Sequence, residues 1–173
     1  SIMISSKTLN IDNPRLDCRL EGYNNFSPKR IILDKNLNIK LNSYIFKSVK
    51  KGNTTIFYNT TNTPKIKILK KKGVTLVKIR LNREGLLDLK IVLKKLFALG
   101  TRSLLVEGGD KMTKNLIKYK LIDTFYLFQS PKILRMNKIN QGFTSFGILN
   151  NKYKKVSKII SKLAKDNITI YKR

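Results

Sequence analysis

Histidine and tryptophan are both missing from these 173 residues, and Cys18 is the sole cysteine. Without histidine the commonest general base is gone, and with it the Ser-His-Asp and Cys-His arrangements of nucleophilic catalysis. One thiol forms no internal disulfide, and with no histidine beside it a zinc site is not expected. Catalysis, if there is any, falls to a bound cofactor, carboxylates, lysines or hydroxyls. Long apolar runs are also missing. No stretch approaches the ~20 residues a membrane-spanning helix needs, and Ser1-Ile2-Met3-Ile4 is too short for a signal peptide. The expectation is a soluble, cytoplasmic protein with no membrane partner.

Acidic residues are scarce, 10 against 37 Lys and Arg, for a net charge of +27. Such a charge by itself points to nucleic acid, because Lys and Arg neutralise phosphates and release counterions. Its distribution points elsewhere. Lysine supplies most of it and is scattered along the chain, as in Lys70-Lys71-Lys72, Lys94-Lys95 and Lys152-Lys154-Lys155. Arginine, the residue of bidentate base and phosphate recognition, is the scarcer one. A compositional bias carried on solvated faces accounts for this, so a nucleic-acid partner is not expected. An anionic small molecule fits the charge equally well.

With 41% hydrophobic residues in short runs, the chain reads as one globular domain, residues 1–173. Ile2-Met3-Ile4 reads as a buried strand with nothing before it to initiate it, which suggests a C-terminal piece of a longer product, and the residues after it read as a polar loop. Arg30 to Asp34, Thr54 to Tyr58 and Val74 to Ile79 are further strand candidates. Between Asp88 and Gly100 the period becomes helical, with Leu89, Val92, Leu93, Leu96 and Phe97 on one side, Asp88 as N-cap and Gly100 as C′ glycine. A strand at Ser103–Val106, a helix from about Lys111, and strands at Thr124–Phe128 and Ile168–Tyr171 complete the pattern. Strands alternating with helices imply an α/β fold with a mainly parallel sheet covered on both faces, made mixed by antiparallel C-terminal strands.

Two stretches concentrate groups able to do chemistry. At Val106-Glu107-Gly108-Gly109, a Gly-Gly junction between strand and helix lets a ligand approach the backbone, and the helix amides beyond it suit a phosphate; a tight turn that needs glycine for its dihedrals explains the same residues. Glu107 is expected at the C-terminal edge of a central strand, where α/β sheets bind ligands. From Ser5 to Arg19, hydroxyls, Asp12 and two arginines share one segment. Asp12-Asn13-Pro14 is ordinary turn chemistry, yet the same groups suit a phosphorylated sugar.

Taken in order, Thr8-x-x-x-Asp12-Asn13-Pro14-x-Leu16-x-x-Arg19, Pro28-x-Arg30-Ile31-Ile32-Leu33-Asp34, Val106-Glu107-Gly108-Gly109 and Pro131-Lys132-Ile133-Leu134 resemble the reductase domain of the bifunctional riboflavin-biosynthesis deaminase-reductase. The resemblance implies a dihydrofolate-reductase-like fold whose first strand and helix are absent here, and a homodimer. It also implies NADPH-dependent reduction of the ribosyl group of 5-amino-6-(5-phosphoribosylamino)uracil to the ribityl form. On the cofactor side it places Thr8, Asp12, Lys35 and the run Gly109, Asp110, Lys111, Met112, Thr113, Lys114 and Asn115. On the substrate side it places Leu16, Arg19 and Glu107, with Arg19 expected on the phosphorylated pyrimidine rather than on a structural carboxylate. It assigns no catalytic residue and no metal. The chain departs from the pattern at Lys7, at Asn13 for a common aspartate, at Lys35 for a hydroxyl, and at Arg135 for a glycine. Lys35 is either an exposed lysine or a point charge for the 2′-phosphate of NADPH. The preceding deaminase chemistry needs His-x-Glu and Cys-x-x-Cys, and neither occurs. The rival readings are a pterin- or folate-type reductase, an inactive homologue of the same fold, and a basic nucleic-acid-binding α/β domain.

Overall fold

The computed structural model describes residues 1–130, 143–160 and 166–173. The motif Pro131 to Leu134, with Arg135, lies outside the described residues. The chain divides into two compact units, Ser1–Gly108 and Gly109–Arg173.

In the first unit, β-branched and aliphatic runs too apolar to face water become strands β1 (Ile2–Ser5), β2 (Arg30–Leu33), β3 (Thr54–Tyr58), β4 (Thr75–Lys78) and β5 (Leu105–Glu107). All four pairings are parallel and the order is β4-β3-β2-β1-β5. Parallel neighbours need crossover connections, here carried by helices α1 (Ser6–Asp12), α2 (Tyr44–Lys47), α3 (Thr63–Lys71) and α4 (Leu89–Ala98). Ile4, Ile32, Ile56 and Tyr58 line one sheet face and pack with Leu9 of α1, Ile45 and Phe46 of α2 and Leu69 of α3. Met3, Ile31 and Phe57, which alternate with them, are buried on the other face. β1, β2 and β3 are therefore desolvated on both sides, which explains their unbroken hydrophobicity, while β4 and β5 keep exposed positions.

Local chemistry fixes the ends. Asp88 caps α4 through Lys90 and Ile91 N–H, and Gly100 terminates it at φ 86 with Thr101 N–H bonded back to the Leu96 carbonyl. The expected polar loop after β1 is instead helical. Ser5 Oγ accepts the Thr8 N–H at 3.1 Å as an N-cap, and Asn13 closes α1 in the left-handed region, φ 45, which asparagine tolerates better than most residues. Asp34 is buried after β2, and its Oδ2 accepts the Ile39 N–H at 2.9 Å, which stabilises the turn that leaves the sheet.

The second unit contains helix α5 (Asp110–Lys118), strand β6 (Thr124–Gln129), helix α6 (Phe146–Lys152) and strands β7 (Lys154–Ile160) and β8 (Asn167–Lys172). Its sheet is antiparallel in the order β6-β8-β7. The core gathers Ile117, Leu127, Leu149, Tyr153 and Tyr171, with Phe125 and Phe143 against them. The parallel and antiparallel strands are thus both present, in two sheets, and the C-terminal strands pair among themselves.

Candidate functional site

Parallel register aligns the strand ends of the first unit. Ser5 stands opposite Leu33, Leu33 opposite Phe57, and Ile4 opposite Glu107. The C-terminal edge therefore carries the start of α1 with Thr8, then Lys35, Asn59 and Glu107. Hydrogen bonds fasten these ends together: Asn59 N–H donates to the Lys35 carbonyl at 2.8 Å, and Asn59 Nδ2 donates to the Ile79 carbonyl. Lys35 Nζ donates to the Gly85 carbonyl at 3.1 Å. That carbonyl belongs to a tight turn in which Asn82 Oδ1 accepts the N–H groups of Glu84 and Leu86. Lys35 is accordingly half-buried and engaged with the protein, not an idle surface lysine.

Thr8 and Asp12 are four residues apart on α1 and so lie on one helix face. The Thr8 hydroxyl sits 3.0 Å from Ser5 Oγ, and Asp12 is exposed at the far end of the helix. Asn13 replaces a common aspartate without losing an acceptor, because its Oδ1 takes the Tyr44 N–H at 2.9 Å. Leu16 has φ 49, and its carbonyl accepts from Arg30 Nε at 3.3 Å, so this segment reaches the N-terminal end of β2. The Leu16 side chain packs against the core. Arg19 is 77% exposed, with Nε 3.9 Å from an Asp17 carboxylate oxygen, a contact the sequence reading did not anticipate. Glu107 is exposed, and among the described residues β5 ends the order β4-β3-β2-β1-β5 of this sheet instead of standing at its centre.

In the second unit, Gly109 caps α5 with φ −66, a value any residue adopts. A Cβ built on Gly109 meets nothing within 4 Å. Among the described residues neither its dihedrals nor close neighbours within its own unit call for a glycine here, and a helix start with an unhindered backbone suits the approach of a ligand. Met112 and Thr113 N–H groups both bond the Gly109 carbonyl, so the amides of Asp110 and Lys111 precede the first intrahelical bonds. The Asp110 carboxylate is committed locally: it accepts Thr144 N–H at 3.0 Å and Thr144 Oγ1 at 2.7 Å, which holds its carboxyl below the ordinary value. Met112, Thr113 and Asn115 are half-buried, while Lys111 and Lys114 are exposed.

The sequence profile of the RibD C-terminal domain matches residues 1–164. The chain belongs to the RibD C-terminal domain family. It is similar to the 2,5-diamino-6-ribosylamino-4(3H)-pyrimidinone 5′-phosphate reductase of Debaryomyces hansenii, 32% identical over 145 residues, 77% of this chain and 59% of that one. It is also similar to the riboflavin biosynthesis protein RibD of Aquifex aeolicus, 27% identical over 173 residues, 100% of this chain and 46% of that one. The chain thus spans about half the length of these relatives. Among solved structures, RibD of Acinetobacter baumannii aligns with TM-score 0.74 at 20% identity, covering 99% of this chain and 46% of that one. The Saccharomyces cerevisiae riboflavin biosynthesis reductase Rib7 also aligns with TM-score 0.74, at 19% identity, covering 99% and 74%. The fold is dihydrofolate-reductase-like.

For a RibD C-terminal domain, the order of the motifs in the chain was legible without coordinates. Asn59 and the exposed Arg80 were not. Both follow strands at the C-terminal edge, and their only sequence signal is that position. Among the described residues no group of side chains could hold a metal, and no helix is long and apolar enough to cross a membrane.

Proposed function

We propose that this chain reduces the ribosyl group of 5-amino-6-(5-phosphoribosylamino)uracil to the ribityl form, using NADPH. The observation that carries the reading is Gly109, a glycine at a helix start with no heavy atom of the described residues within 4 Å of where a Cβ would stand, in a chain of the RibD C-terminal family. The donor set also fits a polyanionic cofactor: no acidic residue occurs between Asp34 and Glu84, a stretch that supplies Lys35 and Arg80 at the C-terminal edge. When bound, the nicotinamide supplies the hydride that a chain without histidine needs from elsewhere. The protein's part is position and charge. Thr8 and Lys35 hold the cofactor from the C-terminal edge of the first unit, with Asp12 one helical turn beyond Thr8. Gly109 to Asn115 offer backbone amides to its phosphates. Leu16 shapes the substrate side, Arg19 takes the phosphate or the pyrimidine carbonyls, and Glu107 accepts hydrogen bonds from the substrate.

The same reading takes residues 1–173 as one working reductase domain, cytoplasmic and homodimeric; sedimentation at micromolar concentration checks the dimer. A second reading has independent support, because the Debaryomyces hansenii relative is named for the 2,5-diamino pyrimidinone substrate. Initial rates with both pyrimidines and both nicotinamide cofactors test the assignment. Faster turnover of the uracil with NADPH supports it, and preference for the diamino compound replaces the substrate while keeping the reaction class.

A further inference from the structure

Asp17 is surrounded by cations in an unusual way. Its Oδ2 lies 3.3 Å from Arg15 Nε, while its Oδ1 lies 3.9 Å from Arg19 Nε, is shielded from solvent and has no hydrogen-bond partner among the described residues. Arg30, which feels the Asp17 charge, is buried, with Nη1 donating to Ser48 Oγ at 2.9 Å and Nε to the Leu16 carbonyl. Burial pulls the Arg30 guanidinium below its ordinary value, and the Asp17 charge works in the opposite direction. A carboxylate serving only as a structural clamp would make short, forked contacts near ~2.8 Å. Here both pairs are long, and the two outer arginines stay 60% and 77% exposed, open to another anion.

We propose that Asp17 is an internal stand-in for the ligand's phosphate monoester, holding Arg15 and Arg19 together until the ligand displaces it. The exchange has a chemical basis. A phosphate monoester brings about −1.5 to −2 charges and three acceptor oxygens, whereas a carboxylate brings one charge and two oxygens. Arginine forks match phosphate, and a phosphate gives the second arginine the hydrogen bond that Asp17 Oδ1 does not make. Asp17 then keeps the arginines paired and selects against weakly charged ligands, at a cost in affinity. The proposal rests on the reading of Arg19 as a substrate-side residue.

The test is calorimetric titration of ribose 5-phosphate, with ribose as the neutral control, into the 173-residue chain and its D17N and R19A variants. Asp17→Asn is expected to tighten ribose 5-phosphate several-fold and leave ribose unchanged, while Arg19→Ala weakens ribose 5-phosphate. Unchanged or weaker binding to D17N overturns the stand-in role. If D17N fails in this way but R19A still loses affinity, the substrate-side reading survives alone. If R19A binds like the parent chain, that reading falls too. Since Asp17→Asn leaves Arg30 without a counter-charge and can unfold the chain, the Asp17 carboxyl carbon is also followed by NMR in the parent chain. A shift that saturates with ribose 5-phosphate supports displacement, and a resonance that stays put overturns it.

Discussion

The two sheets of this molecule treat water differently. In the first unit the three strands β1, β2 and β3 are covered on both faces, and Met3, Ile4, Ile32, Ile56 and Phe57 are all fully buried. In the second, one sheet face builds a core around Leu127 and Tyr171, while Tyr126, Phe128 and Ile159 on other strand positions remain 55%, 66% and 49% exposed. A strand buried on both sides has to be hydrophobic throughout, and a strand with one wet face alternates. The first unit also carries the strand ends, fastened by hydrogen bonds, at which Thr8 and Lys35 sit.

That comparison breaks most readily at two phenylalanines. Phe57→Ala is expected to cost about 3–5 kcal/mol, while Phe128→Ala stays within about 0.5 kcal/mol, both read from urea unfolding. A large loss at Phe128 would mean that this face is covered in solution, and the contrast between the sheets would fail. Next in size is Asp34→Ala, which strands the buried Ile39 N–H and is expected to cost about 1–3 kcal/mol in the same assay.

Smaller effects separate binding roles from frame roles. Arg19→Ala is expected to raise KM for the pyrimidine about tenfold, ~1.4 kcal/mol, with NADPH affinity nearly unchanged. Equal losses for both ligands would misplace Arg19. Lys35→Met is expected to weaken NADPH by about 1 kcal/mol and spare NADH, the effect shrinking with salt. Because Lys35 also holds the Gly85 carbonyl, equal weakening of both cofactors would make it a support for that turn and not a phosphate contact. The smallest effect is a pH dependence in the second unit. Thr144 lowers the Asp110 carboxyl below its ordinary 3.8, so its stabilisation is present above that value and is lost as pH falls through the lower folded value. Thermal midpoints of parent and Asp110→Asn should converge as pH drops below 3.8; parallel curves would remove Asp110 from the stability balance.

Legibility in the sequence followed the same division. β2, β3 and β4 were read nearly to the residue, since apolar runs with β-branched residues have few other uses, and Asp88 and Gly100 bracketed α4 by cap chemistry. α1 was missed because its turns are polar and only Leu9 is buried, so periodicity gave nothing and the Ser5 cap was the one available signal. α3 was visible in principle, with Asn62 as cap and Pro64 in the first turn, but its lysines hid a thin stripe ending at Leu69. β7 was not among the expected strands, for a physical reason. It is an edge strand whose lysines point to water, where charge discourages further pairing. At the site, residue types and order were legible from the motifs, whereas Asn59 fastening β2 to β4, the Lys35 contact with Gly85 and the Asp17 cluster required coordinates.

The central claim is most directly tested by mixing the purified chain with NADPH and 5-amino-6-(5-phosphoribosylamino)uracil and following NADPH absorbance together with the pyrimidine product. The account predicts NADPH oxidation that depends on the pyrimidine and matches formation of the ribitylamino compound one for one. NADPH and the pyrimidine both bound, with no oxidation and no ribitylamino product, would contradict it.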